Sequence, residues 1–336
     1  MTQVIQINRE HPEAQLIEQA AAIIREGGLV AFPTETVYGL GADAMSEPAV
    51  GRIFAAKGRP ADNPLIVHVS DRRMLDRVAA EVGEQAESLI EKYWPGPLTL
   101  VLKRKADVPA SVSAGLLTVA VRMPFNGIAL SLIRTANTPI AAPSANRSGR
   151  PSPTSAAHVL ADLGGRIEMI LDGGATAIGI ESTVLDMTGD VPMVLRPGWV
   201  TEEQVAAVTG AVTHAAAPAE LQRSPGTRYR HYSPRARVVL VEPGATASLE
   251  AICKAHLKSA TVGFIGHTAL AIEAANFQAV SLRAEAADYA GNIYAALREM
   301  DARGAGVVIV EGISDAGAGA AVMDRLRRAA SEIISA

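Results

Sequence analysis

Ala31-Phe-Pro-Thr-Glu-Thr-Val-Tyr-Gly-Leu-Gly41, followed by Lys57-Gly-Arg-Pro-Ala-Asp-Asn-Pro-Leu-Ile-Val-His68, decides how the larger part of this chain is read. Each stretch joins an apolar strand candidate, residues 29–32 and 65–69, to a polar turn. Between them residues 48–57 place Val50, Ile53, Phe54 and Lys57 at spacings of three and four, so a helix is expected with Lys57 ending on its inward face. Hydroxyls, a carboxylate, two cations, an amide and an imidazole thus gather on turns and strand ends. The combination reads as a site for a polar small molecule, without a metal-ligand or P-loop pattern.

Outward from this span the pattern stays mixed. Pro12 stands at a first helical position, Leu16, Ile17, Ala20, Ile23 and Ile24 form an apolar stripe, and Gly27-Gly28 closes that helix. Further strands are expected at 98–102, 118–123, 140–142, 169–171, 182–186 and 193–195. Thr201-Glu-Glu-Gln204 is a capping box opening a short helix toward Thr209. From Val238 strands at 238–241, 262–265 and 307–310 alternate with helices near 249–257, 289–303 and 320–334, the signature of a parallel, Rossmann-like sheet. The expected organisation is a catalytic domain over 1–210, a linker and lid over 211–237, and a smaller domain over 238–336. The fold class is α/β: an N-terminal mixed twisted sheet with flanking helices, then a parallel α/β domain.

Composition narrows the function. At 336 residues and 49% hydrophobic, the chain can fill two cores. A net charge of −4 argues against tight non-specific binding to nucleic acid, which draws on surplus Lys and Arg. The single Cys253 excludes an intramolecular disulfide and a multi-cysteine zinc site. No basic n-region or membrane-length apolar run is present, so a cytoplasmic location and no membrane association are expected.

Several residues carry two readings. Lys57 and Arg59 either complement a helix C-terminus or hold an anion, for which a phosphate is suited. Thr118 and Arg122, four apart in a strand, share a face with Ala120 that is either an ordinary polar face or an anion site. His68 lies opposite Leu65, Val67 and Val69, as a satisfied core residue or a ligand contact. Ser144 and Asn146 follow a strand across Pro143, as turn formers or ligand donors. Ser152 before Pro153 resembles a helix N-cap that could also hold a phosphate. Glu181-Ser-Thr183 and Arg196-Pro-Gly198 have similar dual readings. Gly39-Leu-Gly41-Ala-Asp-Ala44 nominally fits the dinucleotide fingerprint, but Pro33 and polar residues intervene after the strand, and Ser46-Glu-Pro48 opens a new element. Arg223, Arg228, Arg230, Arg235 and Arg237 make the linker locally basic.

Together with Pro143-Ser-Ala-Asn146 and Ser224-Pro-Gly-Thr-Arg-Tyr-Arg-His-Tyr-Ser-Pro234, the opening stretches resemble the threonylcarbamoyl-AMP synthase family in its long form, a YrdC-type domain joined to a C-terminal domain. The resemblance implies an enzyme that makes threonylcarbamoyl-AMP and pyrophosphate from L-threonine, bicarbonate or CO2, and ATP. The product would pass to a tRNA threonylcarbamoyl transferase, with no stable nucleic-acid binding here. It implies threonine contacts at Thr36, His68, Arg122, Ala142 and Ser182, and ATP contacts at Arg59, Asn63, Thr118, Ser144, Ser152, Arg196 and Tyr229. Lys57, Arg59, Ser144 and Asn146 would be catalytic, and Mg2+ would be held mainly by ATP phosphates with no protein metal site. Thr227 departs from the family pattern, where methionine is expected. Two other classes compete: an RNA-binding or assembly module, disfavoured by an aromatic content of only 4%, and a hydrolase of carbamoyl or acyl phosphates.

Overall fold

The computed structural model describes residues 1–215, 217–224 and 232–335. Among these, the chain divides into two compact units. The first takes most of the chain up to the linker; the second takes the chain beyond it together with Gly149–Ser152 and Ile178–Ile180.

In the first unit the strands are β1 (Gln3–Gln6), β2 (Val30–Phe32), β3 (Gly39–Asp43), β4 (Ile66–His68), β5 (Leu98–Lys103), β6 (Thr118–Arg122), β7 (Ile140–Ala141), β8 (Met169–Asp172), β9 (Thr183–Asp186), β10 (Met193–Arg196) and β11 (Thr213–His214). They form one mixed sheet in the order β1-β8-β2-β3-β7-β4-β6-β5-β9-β10-β11. Its helices are α1 (Ala14–Arg25), α2 (Glu47–Lys57), α3 (Arg72–Val78), α4 (Glu84–Tyr93), α5 (Gly127–Ala136), α6 (Ala156–Leu163), α7 (Glu202–Thr209) and α8 (Pro218–Leu221). The mixed α/β class expected from sequence is the class observed.

The faces of this sheet differ. Val67, Leu98, Leu100, Leu102, Val119, Val121, Leu185 and Val194 pack with Ile17, Ile53, Leu75, Leu89 and Leu132 of the helices in one large core. Strand residues of opposite parity, Ile66, Val101, Ala120, Val184 and Leu195, form a separate small cluster that no described helix residue joins. Successive side chains alternate across a strand, so one set of strands serves a helix-covered face and a second, helix-free one. The functional side chains stand on the second.

Local signals in the sequence were mostly accurate, with instructive exceptions. The Thr201 box forms: Thr201 Oγ1 accepts from Gln204 N at 3.4 Å and Gln204 Oε1 accepts from Thr201 N at 2.9 Å. Pro12, however, lies outside α1, whose N-cap is Glu13. Ser152 is not a helix cap either; α6 starts later, with Ser155 Oγ accepting from His158 N. The glycine-rich run 39–43 is strand β3, antiparallel to both β2 and β7. A Cβ on Gly41 would come 2.7 Å from Phe32 Cε1 and 2.9 Å from Ile140 Cγ2, so this central strand needs glycine for close approach.

The second unit holds β12 (Arg237–Val241), β13 (Val262–Gly266), β14 (Phe277–Ser281), β15 (Val307–Glu311) and β16 (Glu332–Ile334), all parallel in the order β14-β13-β15-β12-β16. Its α-helices are α9 (Leu249–Leu257), α10 (Ala286–Ala302) and α11 (Gly319–Ala329). The helix expected over 320–334 therefore stops at Ala329, and its tail becomes edge strand β16. Burial pushes the Cys253 thiol up to about 11, consistent with an inert core residue. No helix among the described residues is long and apolar enough to cross a membrane.

Candidate active site

The site is built on the helix-free face of the first sheet. His68 and Arg122 are register partners on β4 and β6, two pairs beyond Ile66 and Ala120 and on the same face. Both are buried. Arg122 Nε donates to Gly96 O at 3.1 Å and Nη1 to Thr36 Oγ1 at 2.9 Å. Thr36 Oγ1 lies 2.8 Å from Thr34 Oγ1, and the Thr34 hydroxyl also accepts from Thr36 N and Val37 N. The loop between β2 and β3 is thus stitched by its own hydroxyls, and the guanidinium is fixed against it. The Glu35 carboxylate completes this corner, with Oε1 at 2.7 Å from Arg122 Nη2.

Burial, then the nearby Arg122 charge, lowers the His68 pKa to about 3, so its imidazole is neutral at physiological pH. The ring meets Phe32 edge-on at 6.2 Å between centroids, and Nδ1 has no hydrogen-bond partner. A neutral imidazole with an unused nitrogen can take a hydrogen bond from a ligand.

Ser182 is reached through Thr99, whose hydroxyl lies 2.8 Å from Ser182 Oγ. Arg196 clasps the same residue: Nε and Nη2 donate to Ser182 O at 3.1 and 3.0 Å, and Nη2 to Ser182 Oγ at 3.2 Å. Strict alternation would send Arg196 with Val194 into the helix-covered core. A bulge prevents this, because Val194 pairs with Leu185 and Arg196 with Val184, two residues opposite one. The extra residue turns Leu195 and Arg196 to the same face. Gly198 then passes so close that a Cβ would lie 2.2 Å from Thr183 N.

Lys57, Arg59, Ser144 and Asn146 meet at the C-terminus of α2. Gly58 adopts the left-handed conformation and ends that helix. Lys57 is 2% exposed, and its Nζ donates to Ser144 O and Asn146 O, both at 2.5 Å. The inward placement read from the helix spacing is observed, and backbone carbonyls fix the ammonium there. Ser144 Oγ donates to Asn146 Oδ1 at 2.6 Å. Leu40 N to Pro143 O and Ala145 N to Tyr38 O, both 2.8 Å, tie this loop to the start of β3. Arg59 turns back on its own loop, donating from Nε to Asn63 O at 3.2 Å and from Nη2 to Pro64 O at 2.8 Å. Asn63 is buried with Oδ1 lacking a partner.

The remaining sequence candidates sit as follows. Ala142 is buried, its N–H donating to Ile66 O at 2.9 Å, and Thr118 is half-buried opposite Lys103. Ser152 is buried but belongs to the segment Gly149–Ser152 of the second unit. Tyr229, with Arg228 and Arg230, lies outside the described residues. Three other linker arginines have carboxylate partners: Arg223 with Asp186 at 2.5 Å, Arg235 with Asp301 at 3.8 Å and Arg237 with Glu332 at 2.6 Å. Glu35 and Thr99 received no role from sequence. Thr99 had a signal, being two residues from Val101 on the same strand face; Glu35 stood in the opening polar stretch, but its partner Arg122 is far away in sequence.

Two family models match the chain: "Telomere recombination" over residues 22–198 and "Threonylcarbamoyl-AMP synthase, C-terminal domain" over residues 200–331. A threonylcarbamoyl-AMP synthase of Pyrococcus abyssi is 48% identical over 98% of each chain. The chain belongs to the threonylcarbamoyl-AMP synthase family. A Bacillus subtilis relative of the same name is 45% identical over 94% of this chain and 92% of its own. A crystal structure of P. abyssi Sua5 complexed with L-threonine superposes with a TM-score of 0.94 at 47% identity, covering both chains fully. Family membership thus extends over both units.

Proposed function

We infer that the protein is an L-threonylcarbamoyladenylate synthase that acts as a nucleotidyltransferase on L-threonine, bicarbonate or CO2, and ATP. The observation that carries this reading is the full-length identity to threonylcarbamoyl-AMP synthases, a synthase complexed with threonine among its structural relatives. The buried cluster of Arg122, Thr36, His68 and Ser182 supports it chemically.

Arg122 is the threonine carboxylate anchor in this reading, because a guanidinium fixed by Gly96 and Thr36 offers a charge-assisted contact without first losing rotamer freedom. His68, neutral, and the Ser182 and Thr36 hydroxyls orient the rest of the amino acid. The amine is carboxylated to a carbamate, whose oxygen attacks the α-phosphorus of ATP while pyrophosphate leaves. Two anions must approach each other, so Lys57, Arg59 and Arg196 supply positive charge at fixed positions, with Ser144, Asn146, Asn63 and Thr118 as further nucleotide contacts.

Among the described residues no three His, Cys, Asp or Glu side chains gather as a metal cage. This donor set fits a Mg2+ carried mainly by ATP phosphates and water, where it would offset phosphate charge. The product is an activated carbamoyl donor, which a tRNA threonylcarbamoyl transferase would consume. The deciding experiment is pyrophosphate release from ATP with threonine and bicarbonate supplied or omitted, with mass spectrometry of the adenylate. Pyrophosphate release that ignores threonine would exclude this function.

A further inference from the structure

Glu35 is 5% exposed, and neither of its carboxylate oxygens has an aligned hydrogen-bond partner. Its Oε1 nevertheless stands 2.7 Å from Arg122 Nη2, and that nitrogen also lacks an aligned acceptor. The other guanidinium positions, Nε and Nη1, already hold Gly96 and Thr36. The ion pair offsets the Glu35 charge but leaves Oε2 without a donor, and a buried carboxylate oxygen in that state at a substrate face points to a donor that arrives with the ligand.

A free amino acid carries such a donor at a fixed distance from its carboxylate. With the carboxylate on Arg122 Nη2, the α-ammonium lies a few bonds away, and Glu35 is the carboxylate that stands beside that nitrogen. We propose that Glu35 binds the α-ammonium of threonine and accepts one of its protons, releasing the amine that is carboxylated. This rests on Arg122 being the threonine carboxylate anchor. The balance is complete with bicarbonate as the co-reactant. Glu35 takes one proton from the ammonium; the amine nitrogen forms the C–N bond, and one C–O bond of bicarbonate breaks. That oxygen leaves as water with a second nitrogen proton, and the carbamate remains. Glu35 returns its proton to solvent before the next turnover.

Other titratable groups at this site suit the role less. His68 from β4 is a weak proton acceptor, since burial and Arg122 depress its basicity. Arg122 from β6, Arg196 from β10 and Lys57 from α2 are cations already engaged with carbonyls or hydroxyls. Glu181, which adjoins Ser182 in sequence and is buried as well, already has a partner.

The test is the pH profile of threonine-dependent pyrophosphate release at saturating ATP and bicarbonate for the intact chain, Glu35→Gln and Glu35→Asp. Glu35→Gln should lower kcat about 100-fold near neutral pH. The deficit should shrink as the pH rises through the range where free threonine loses its own ammonium proton, while Glu35→Asp keeps the parent profile at a reduced rate. A deficit equal at every pH, no deficit at all, or an Asp variant that behaves like Gln would overturn the proposal. Thermal melts establish that each variant folds; if the Gln form does not, the Asp profile decides. Calorimetric threonine titration of Arg122→Ala runs in parallel. Unchanged affinity there would refute the carboxylate anchor itself, and threonine-independent turnover of the parent chain would refute the function, so the three failures are distinguishable.

Discussion

Lys57 Nζ and Asn146 O are 2.5 Å apart, so the last residue of α2 clamps the loop that follows β7. The same ammonium holds Ser144 O, and two residues of the proposed nucleotide site are therefore set by one cation. Buried carbonyls without a donor cost about 1–3 kcal/mol. Lys57→Ala should lower stability by roughly that amount and cut turnover strongly, with a small effect on threonine affinity. Urea denaturation, steady-state kinetics and calorimetry separate the three; a variant with normal turnover would remove Lys57 from the catalytic group.

Arg122→Ala strips the proposed carboxylate anchor and leaves Glu35 buried beside no cation. Loss of the charge-assisted contact should weaken threonine binding by about 2–5 kcal/mol. Adding Glu35→Gln should restore part of the stability lost in the single variant without restoring affinity, because it removes the stranded charge but not the missing anchor. Recovery of affinity in the double variant would contradict this.

His68 links stability to pH. Its native pKa of about 3 lies below the unfolded value of 6.5, so between those values the unfolded chain binds the extra proton. The contribution is fully present above pH 6.5 and is lost progressively as the pH falls toward 3. His68→Gln should flatten the fall in urea midpoint over that window relative to the parent chain. Identical slopes would mean that His68 is not buried in its neutral form.

Gly198→Ala places a methyl group 2.2 Å from Thr183 N and 2.5 Å from Ser182 C, both backbone atoms. The strand must shift, at about 1–3 kcal/mol for an overpacked site. Because Arg196 grips Ser182 at this point, threonine affinity should fall as well, read by calorimetry on the folded variant.

Legibility in the sequence followed burial. Strands β4, β5 and β6 have neighbours on both sides and announce themselves by apolar patterning, and the parity argument that put His68 and Arg122 opposite Val67 and Val121 describes the observed faces. Missed strands β1, β11, β14 and β16 are sheet edges, which bury less and need less patterning. Central β3 was missed for another reason, since glycine at Gly41 is demanded by Phe32 and Ile140, contacts that no local window contains. The site shows the same division. Lys57 on the inward face of α2 could be read from helical spacing, whereas the Glu35–Arg122 pair and the Arg196 clasp depend on strands distant in the chain.

The bulge in β10 makes the pairing of a strand a functional quantity. Were the same residues paired without it, Leu195 rather than Arg196 would stand opposite Val184, and alternation would carry the guanidinium of Arg196 from Ser182 toward the aliphatic packing around Val194. The sheet could keep its strands and order after such a slip, yet the protein would have lost a cation from its chemistry and gained one in its interior. Fidelity of this enzyme to its reaction is thus written partly in how one strand meets its neighbour, in addition to the identity of its side chains.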